Sequence, residues 1–287
     1  MKKVFVYVMG LAALLAVSCN NKDNSTTLGA PATQELAQVL KFSNPVQIGD
    51  YAFQSIELTE ASRYIAEYTE SKASAGASIR YGKYTYSNGT FNLDGLGSLK
   101  VEGSKVIINP SVAGGSAVEA QATVTRSSAK DQSVVNACRN WTITKIVFDV
   151  SGKTKEGQTI GGSKMLNKLD MKEIAEYAKS WGLAITDEEM DKMAKYSVKE
   201  ICMTSAGSCV VAFTGTDTHP FYADLNLNGS NFTFSFSQED IPILSGGKFS
   251  GTLSFSGNSC IISGKANVVY KESTFEASLD MALTEVQ

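Results

Sequence analysis

Cys19 carries the clearest chemistry in this chain of 287 residues. It follows Lys2, Lys3 and an apolar stretch over 4–17, and a polar run over 20–25 begins directly after it. A basic start, a short apolar segment and small residues before a cleavage point are typical of a signal peptide, because a membrane-spanning helix needs about 20 apolar residues. The thiol of Cys19 could then carry diacylglycerol.

The five residues Leu15–Cys19 resemble the lipobox of bacterial lipoproteins. They predict a signal peptide at 1–18 and a lipidated tether with a short helix over 19–45. Two or three acyl chains on one cysteine would hold a protein at a bilayer, since each buried methylene contributes about 0.8 kcal/mol. We expect a lipid-anchored protein of the bacterial cell envelope, at the outer membrane, with its periplasmic or surface orientation left open. The alternative is an ordinary secreted protein in which Cys19 is incidental.

Few other residues could support catalysis. His219 is the single histidine, and a Ser-His-Asp or Cys-His arrangement would have to use it. Its neighbours Thr218 and Pro220 favour a surface loop instead. The carboxylates within 187–191 fit the start of a helix. A pair of glycosidase carboxylates among separated acids is not visible from spacing. We therefore expect no enzymatic activity and no cofactor.

Four further cysteines, Cys138, Cys202, Cys209 and Cys260, lack the paired spacing of zinc sites, so no metal site is predicted. An exported protein can form disulfides. Cys202 and Cys209 flank a predicted hairpin turn and could be joined across the two strands. The alternative is that all four are small buried hydrophobic residues, as unpaired cysteines often are.

The charge balance excludes one class of partner. The chain has 26 Lys and Arg against 29 Asp and Glu, a net charge of −3, and no basic block. Nucleic-acid binding therefore has no electrostatic support. The hydrophobic content of 43% is enough for a packed core.

The hydrophobic pattern predicts a mainly β protein with two units. A short helix over 34–41 would precede an N-terminal antiparallel unit over 46–126, in which apolar residues recur with a period of two and turns fall at Asn88–Gly89 and Gly103–Ser104. A second unit over 138–287 has the same pattern in its phenylalanine-rich strands. Each sheet must close into a barrel or stack into a sandwich to bury its apolar face.

A helical hairpin is predicted within the second unit, over 164–197. Asp170 precedes Glu173 by three residues and Thr186 precedes Glu189 by three, as in capping boxes. Ile174, Tyr177, Ala178 and Trp181 share one helical face.

Two stretches of the chain align without gaps: 56–69 (IELTEASRYIAEYT) and 201–214 (ICMTSAGSCVVAFT). Both read as a strand, a turn of small residues and a second strand. The match favours an internal duplication, and convergence of two hairpins is the alternative.

The segments FQSIELTEASRYIAEYT, YGKYTYSNGTFNLDGLGSLKV and ACRNWTITKIVFDVSG resemble lipocalin-like, or calycin-like, lipoproteins of Bacteroidetes whose function is unknown. Trp141 resembles the tryptophan of the lipocalin opening strand. The resemblance implies an antiparallel barrel that could enclose an apolar cavity, and it implies no catalytic residues.

These observations leave three functional hypotheses. The first is a small apolar ligand inside the C-terminal barrel. The second is a surface module that recognises a protein or glycan partner of the envelope through aromatic residues such as Tyr51, Tyr81, Tyr222 and Tyr270. The third is a structural envelope lipoprotein. An empty apolar cavity of about 300 Å³ or more in the C-terminal barrel would favour the first, and a filled barrel would favour the outer surface.

Overall fold

The structure, a computed structural model, describes residues 28, 31, 33–70, 77–111, 115–127, 131–153, 157–180, 185–194, 196–215, 219–236, 247–270 and 273–286. Cys19 and the predicted signal peptide lie outside these residues. The chain is mainly β and forms two antiparallel eight-stranded barrels with few helices, in agreement with the predicted fold class.

The first barrel is an uninterrupted meander in which each strand pairs with the next and the last pairs with the first. Its strands are β1 Gln38–Ile48, β2 Tyr51–Leu58, β3 Arg63–Glu70, β4 Ser78–Ser87, β5 Thr90–Leu93, β6 Gly97–Glu102, β7 Lys105–Pro110 and β8 Val118–Arg126. The period-two pattern places alternate side chains inside, and these form one hydrophobic core.

The N-terminal boundary of this barrel differs from the predicted helix over 34–41. Only one 3₁₀ turn forms, Gln34–Leu36, and β1 begins at Gln38. Leu40 pairs with Ile56 on one side and with Val124 on the other, and its side chain is fully buried. Because β1 is the strand that closes the barrel, its pairing outweighs the weak helical pattern of so short a segment.

The second barrel contains strands β9 Asn140–Lys153, β11 Val198–Met203, β12 Ser208–Phe213, β13 Phe221–Asn228, β14 Asn231–Phe236, β15 Lys248–Ser256, β16 Ser259–Tyr270 and β17 Ser273–Glu285. β9 pairs with β11 and with β17, which closes the ring. An additional strand, β10 Thr159–Leu166, pairs with β9 alone among the described strands. The helices are α1 Gln132–Ala137, α2 Met171–Ser180 and α3 Asp187–Met193.

The two barrels share one strand order. In each, eight strands follow one another around the ring, and the second barrel carries β10, α2 and α3 as an insertion between its first and second strands. The two helices of the hairpin predicted over 164–197 are α2 and α3, whereas 164–166 belong to strand β10, which was not predicted. Thr186 and Glu189 form a complete capping box at the start of α3, and Asp170 accepts hydrogen bonds from the backbone of Lys172 and Glu173. Trp181 lies outside the described residues.

The aligned stretches 56–69 and 201–214 form equivalent hairpins, β2–β3 and β11–β12. Ile56 pairs with Ala66, and Ile201 pairs with Val211, so the two hairpins have the same register. Each turn ends on a residue with positive φ at the matching position, Ser62 (57°) and Gly207 (93°). The likeness of the two segments is therefore present in the backbone as well as in the sequence.

The alternation of buried and exposed residues shifts by one position within strand β9. Trp141 and Ile143 are buried, Thr144 and Lys145 are both exposed, and burial then continues on Ile146 and alternate residues after it. Val147 is therefore only half-buried, because two consecutive exposed residues shift the alternation.

The second core also includes Leu28, which lies within the predicted tether over 19–45. Residues 20–27 lie outside the described part of the chain. Within the described part, no helix has both the length and the apolar character needed to cross a bilayer.

Candidate functional site

Among the described residues, the interior of the second barrel holds a cavity of about 70 Å³, well below the roughly 300 Å³ of a small-molecule site. Its lining is wholly apolar: Leu169, Met171, Val198, Ile201, Cys209, Val211, Phe213, Phe221, Phe234, Phe236, Phe249, Ile262, Leu279 and Met281. This cavity is therefore smaller than the ligand cavity predicted for the C-terminal barrel. The alternating aromatic side chains occupy much of the interior volume themselves.

Large side chains lie at one end of this barrel. Trp141 is fully buried, its ring centroid lies 6.2 Å from that of Phe255, and its Nε1 donates a hydrogen bond to the carbonyl of Ala137 at 3.0 Å. The short helix α1 that ends at Ala137 thus lies against the indole. Beside it the buried Arg139 forms an ion pair with Glu285, with Nη1 and Oε1 2.6 Å apart. These groups occupy the end of the barrel at which β9 begins.

The first barrel has an open groove at the corresponding end, with a volume of about 1030 Å³. At this end β1 begins, β8 ends, and the β4–β5 and β6–β7 hairpins turn. The lining residues are Glu35, Leu36, Ala37, Gln38, Tyr86, Gly89, Phe91, Val101, Gly103, Ser104, Ala122, Thr123, Val124 and Arg126. We call this groove the mouth of the first barrel.

The mouth carries smaller side chains than the corresponding end of the second barrel. Leu40 pairs with Ile56 as Trp141 pairs with Ile201, so leucine stands where the second barrel has tryptophan. Val101 precedes the turn of the sixth and seventh strands by two residues, as Phe255 does in the second barrel. In addition, a single 3₁₀ turn precedes β1 where α1 precedes β9. The first barrel thus has an aliphatic side chain at each of two positions where the second barrel has an aromatic ring, and Val101 is one of the residues that line the mouth.

The mouth combines a fixed aromatic ring with polar groups. Tyr86 lies opposite Phe91 across the β4–β5 hairpin, with ring centroids 4.6 Å apart. Phe91 is buried, whereas Tyr86 is 45% exposed. Gln38 and Arg126 pair across β1 and β8, and Glu35 lies in the 3₁₀ turn. Among the described residues that line the mouth, Glu35 is the one acid and Arg126 the one base, so their charges cancel.

The four cysteines of the described residues are thiols, so the proposed bridge between Cys202 and Cys209 is not present. Cys209 pairs with Met203, and Cys202 pairs with Val210. Side chains alternate across a strand, so the two thiols point to opposite faces of the sheet. Burial raises the pKa of Cys209 to about 12 and also raises the pKa of Cys260, which keeps both thiols protonated near neutral pH.

The other predicted site residues do not come together. His219 is exposed before β13. Tyr51 lies at the opposite end of the first barrel from the mouth, Tyr81 and Tyr222 are half-buried, and the side chain of Tyr270 lies outside the described set. No cluster of His, Cys, Asp and Glu suited to a metal occurs among the described residues.

Tyr86 was not among the residues predicted to bind a ligand, although it lines the mouth. Its position two residues before Asn88–Gly89 was the available signal, because such a residue lies at the end of a hairpin.

No family model and no curated protein matches this chain. A solved structure that it resembles is a double mutant of the vaccine antigen transferrin-binding protein B from Haemophilus parasuis, with 10% sequence identity and a TM-score of 0.25. The match covers 82% of this chain and 55% of that chain, so this protein spans about half the length of the matched structure.

Proposed function

We propose that this protein is a non-catalytic, lipid-anchored binding protein of the cell envelope, and that the mouth of the first barrel is its recognition site. The proposal rests on the open groove of about 1030 Å³ in the first barrel. At the corresponding end of the second barrel, Trp141 and Phe255 pack together instead. A pre-formed groove on a closed barrel binds without the entropy cost of ordering a loop.

The lining selects the general character of the ligand. Phe91, Val101 and Val124 supply apolar surface at the floor and wall, and Gln38, Thr123 and Arg126 supply hydrogen-bonding groups. A purely apolar ligand would leave these polar groups without partners when it displaced water, which costs free energy. The mouth therefore suits a ligand that has both apolar surface and hydrogen-bonding groups.

Lipid attachment at Cys19 would hold this binding unit at the membrane surface. The support is the order of basic, apolar and small residues that ends at the cysteine. The second barrel, whose described cavity is small, would act as a rigid structural domain and not as a second ligand-binding site.

The test is native mass spectrometry of the protein purified from its own cells, compared with variants that block the mouth. Val101→Trp places a large side chain in the groove, and Arg126→Glu reverses an exposed charge at its edge without disturbing the core. The matched control is Val118→Trp, since Val118 packs against the same core but does not line the mouth. We expect a bound molecule that both mouth variants lose and the control retains. Equal retention by all three variants, or no bound molecule in any of them, would contradict the proposal.

A further inference from the structure

We propose that the ligand of the mouth is an uncharged carbohydrate chain, held by stacking on Tyr86 and by hydrogen bonds to Gln38, Arg126 and Glu35. This inference rests on the proposed function and names the chemical class that the site would take.

The stacking surface is already oriented. The Tyr86 ring rests on the buried Phe91, at 4.6 Å between centroids and 43° between planes, and a large part of its surface faces the groove. A sugar ring presents C–H bonds on one face and hydroxyl groups around its edge. A tyrosine that is supported on one side and open on the other offers the apolar surface that such a C–H face needs.

The polar groups match a ligand that both donates and accepts hydrogen bonds. The Gln38 amide does both, the Arg126 guanidinium only donates, and the Glu35 carboxylate only accepts when it is ionised. Sugar hydroxyls satisfy all three, whereas an acyl chain satisfies none. The opposite charges of Arg126 and Glu35 cancel, so the groove gives no net electrostatic advantage to an anionic or cationic ligand.

The openness of the groove favours a chain over a small enclosed molecule. Its edges are the Asn88–Gly89 and Gly103–Ser104 turns and the 3₁₀ turn, and Gly89 and Gly103 bring backbone without side chains to the rim. Low edges let further sugar units extend from the mouth into solvent.

The experiment titrates the mature full-length protein with neutral oligosaccharides of glucose, mannose and N-acetylglucosamine, and with an oligosaccharide of glucuronic acid as the charged counterpart. Calorimetry gives the affinities. We expect a neutral oligosaccharide to bind, with an affinity nearly unchanged between about 0.05 and about 0.5 M salt because no net charge is neutralised. Tyr86→Ala should weaken this binding by about tenfold or more.

Tyr51→Ala is the matched control, because Tyr51 is a tyrosine of similar exposure (37%) at the other end of the same barrel. It should change the affinity by less than about twofold. Preference for the glucuronic acid oligosaccharide, or equal effects of the two tyrosine variants, would overturn the carbohydrate assignment. The carbohydrate assignment is wrong if no oligosaccharide binds while Val101→Trp still removes a molecule bound in the native protein. In that case the mouth is still supported as the binding site. If Val101→Trp also has no effect, both proposals fail.

Discussion

Leu40 and Trp141 occupy equivalent positions on the first strands of the two barrels. Each pairs with the isoleucine that begins an aligned hairpin, Ile56 in one barrel and Ile201 in the other, and each is fully buried. The exchange of a leucine for a tryptophan accompanies a structural difference between the barrels. One end has an open mouth, and the other holds an indole, a short helix and an ion pair.

Replacing Trp141 with leucine should destabilise the second barrel by about 2–4 kcal/mol, because the smaller side chain leaves a cavity and the Ala137 carbonyl loses its donor. Urea unfolding followed by circular dichroism measures the change. The half-buried Phe236 is the control site, and Phe236→Leu should cost less than about 1.5 kcal/mol. Equal losses from the two variants would argue against a special role for Trp141.

Gly207→Ala should lower the free energy of unfolding by about 1–2 kcal/mol. Gly207 has a φ of 93°, and a Cβ there would lie 3.1 Å from the carbonyl oxygen of Leu225. Gly229→Ala is the control, because its φ is 58° and the space around it is open. The same denaturation measurement should show the smaller loss for Gly229→Ala, and the reverse order would contradict the geometry of the β11–β12 turn.

The buried thiols should resist labelling. In a Cys19→Ser variant at pH 8, a thiol reagent should label the native protein very slowly and should label all four remaining cysteines after unfolding without reductant. Intact-mass spectrometry counts the adducts. Two adducts fewer than four would reveal a disulfide and would disprove the assignment of Cys202 and Cys209 as thiols.

The same burial makes stability depend on alkaline pH. The folded state holds the pKa of Cys209 at about 12, above its ordinary value of 9.0, so the unfolded chain releases this proton first as the pH rises. The contribution of the neutral thiol is complete below pH 9.0 and is lost as the pH rises towards about 12. A Cys209→Ala variant, compared with the parent by urea unfolding between these limits, should show a smaller decline. An equal decline in both proteins would assign the loss to other groups.

Cys19→Ser should move the protein from the membrane fraction to the soluble fraction, because the acyl chains supply the binding energy for the bilayer. Ser18→Ala is the matched control, since it keeps a small residue before the cysteine and should leave the protein with the membranes. Sedimentation of cell extracts followed by immunodetection gives the distribution. A Cys19→Ser protein that still sediments with membranes would refute lipid anchoring at this residue.

Local sequence patterns were sufficient to predict most of the strands. Alternation in segments such as 232–236 and 275–283 predicted strands whose apolar residues are indeed buried, because a strand exposes opposite faces at successive residues. The gapless match of 56–69 with 201–214 predicted two equivalent hairpins. The start of β1 was missed, since its pairing with β2 and β8 is not encoded in the short segment 34–41 itself.

The sequence by itself determined the class of fold, the two-unit organisation and the shortage of catalytic residues, because these depend on local periodicity and residue types. Only the tertiary structure decided which barrel is open. Val101 and the 3₁₀ turn, far apart in the chain, meet at an end that holds a groove, whereas Trp141, Phe255 and α1 pack together at the corresponding end of the second barrel. Packing volume is a property of residues brought together from distant strands, so no single segment of the sequence could reveal it.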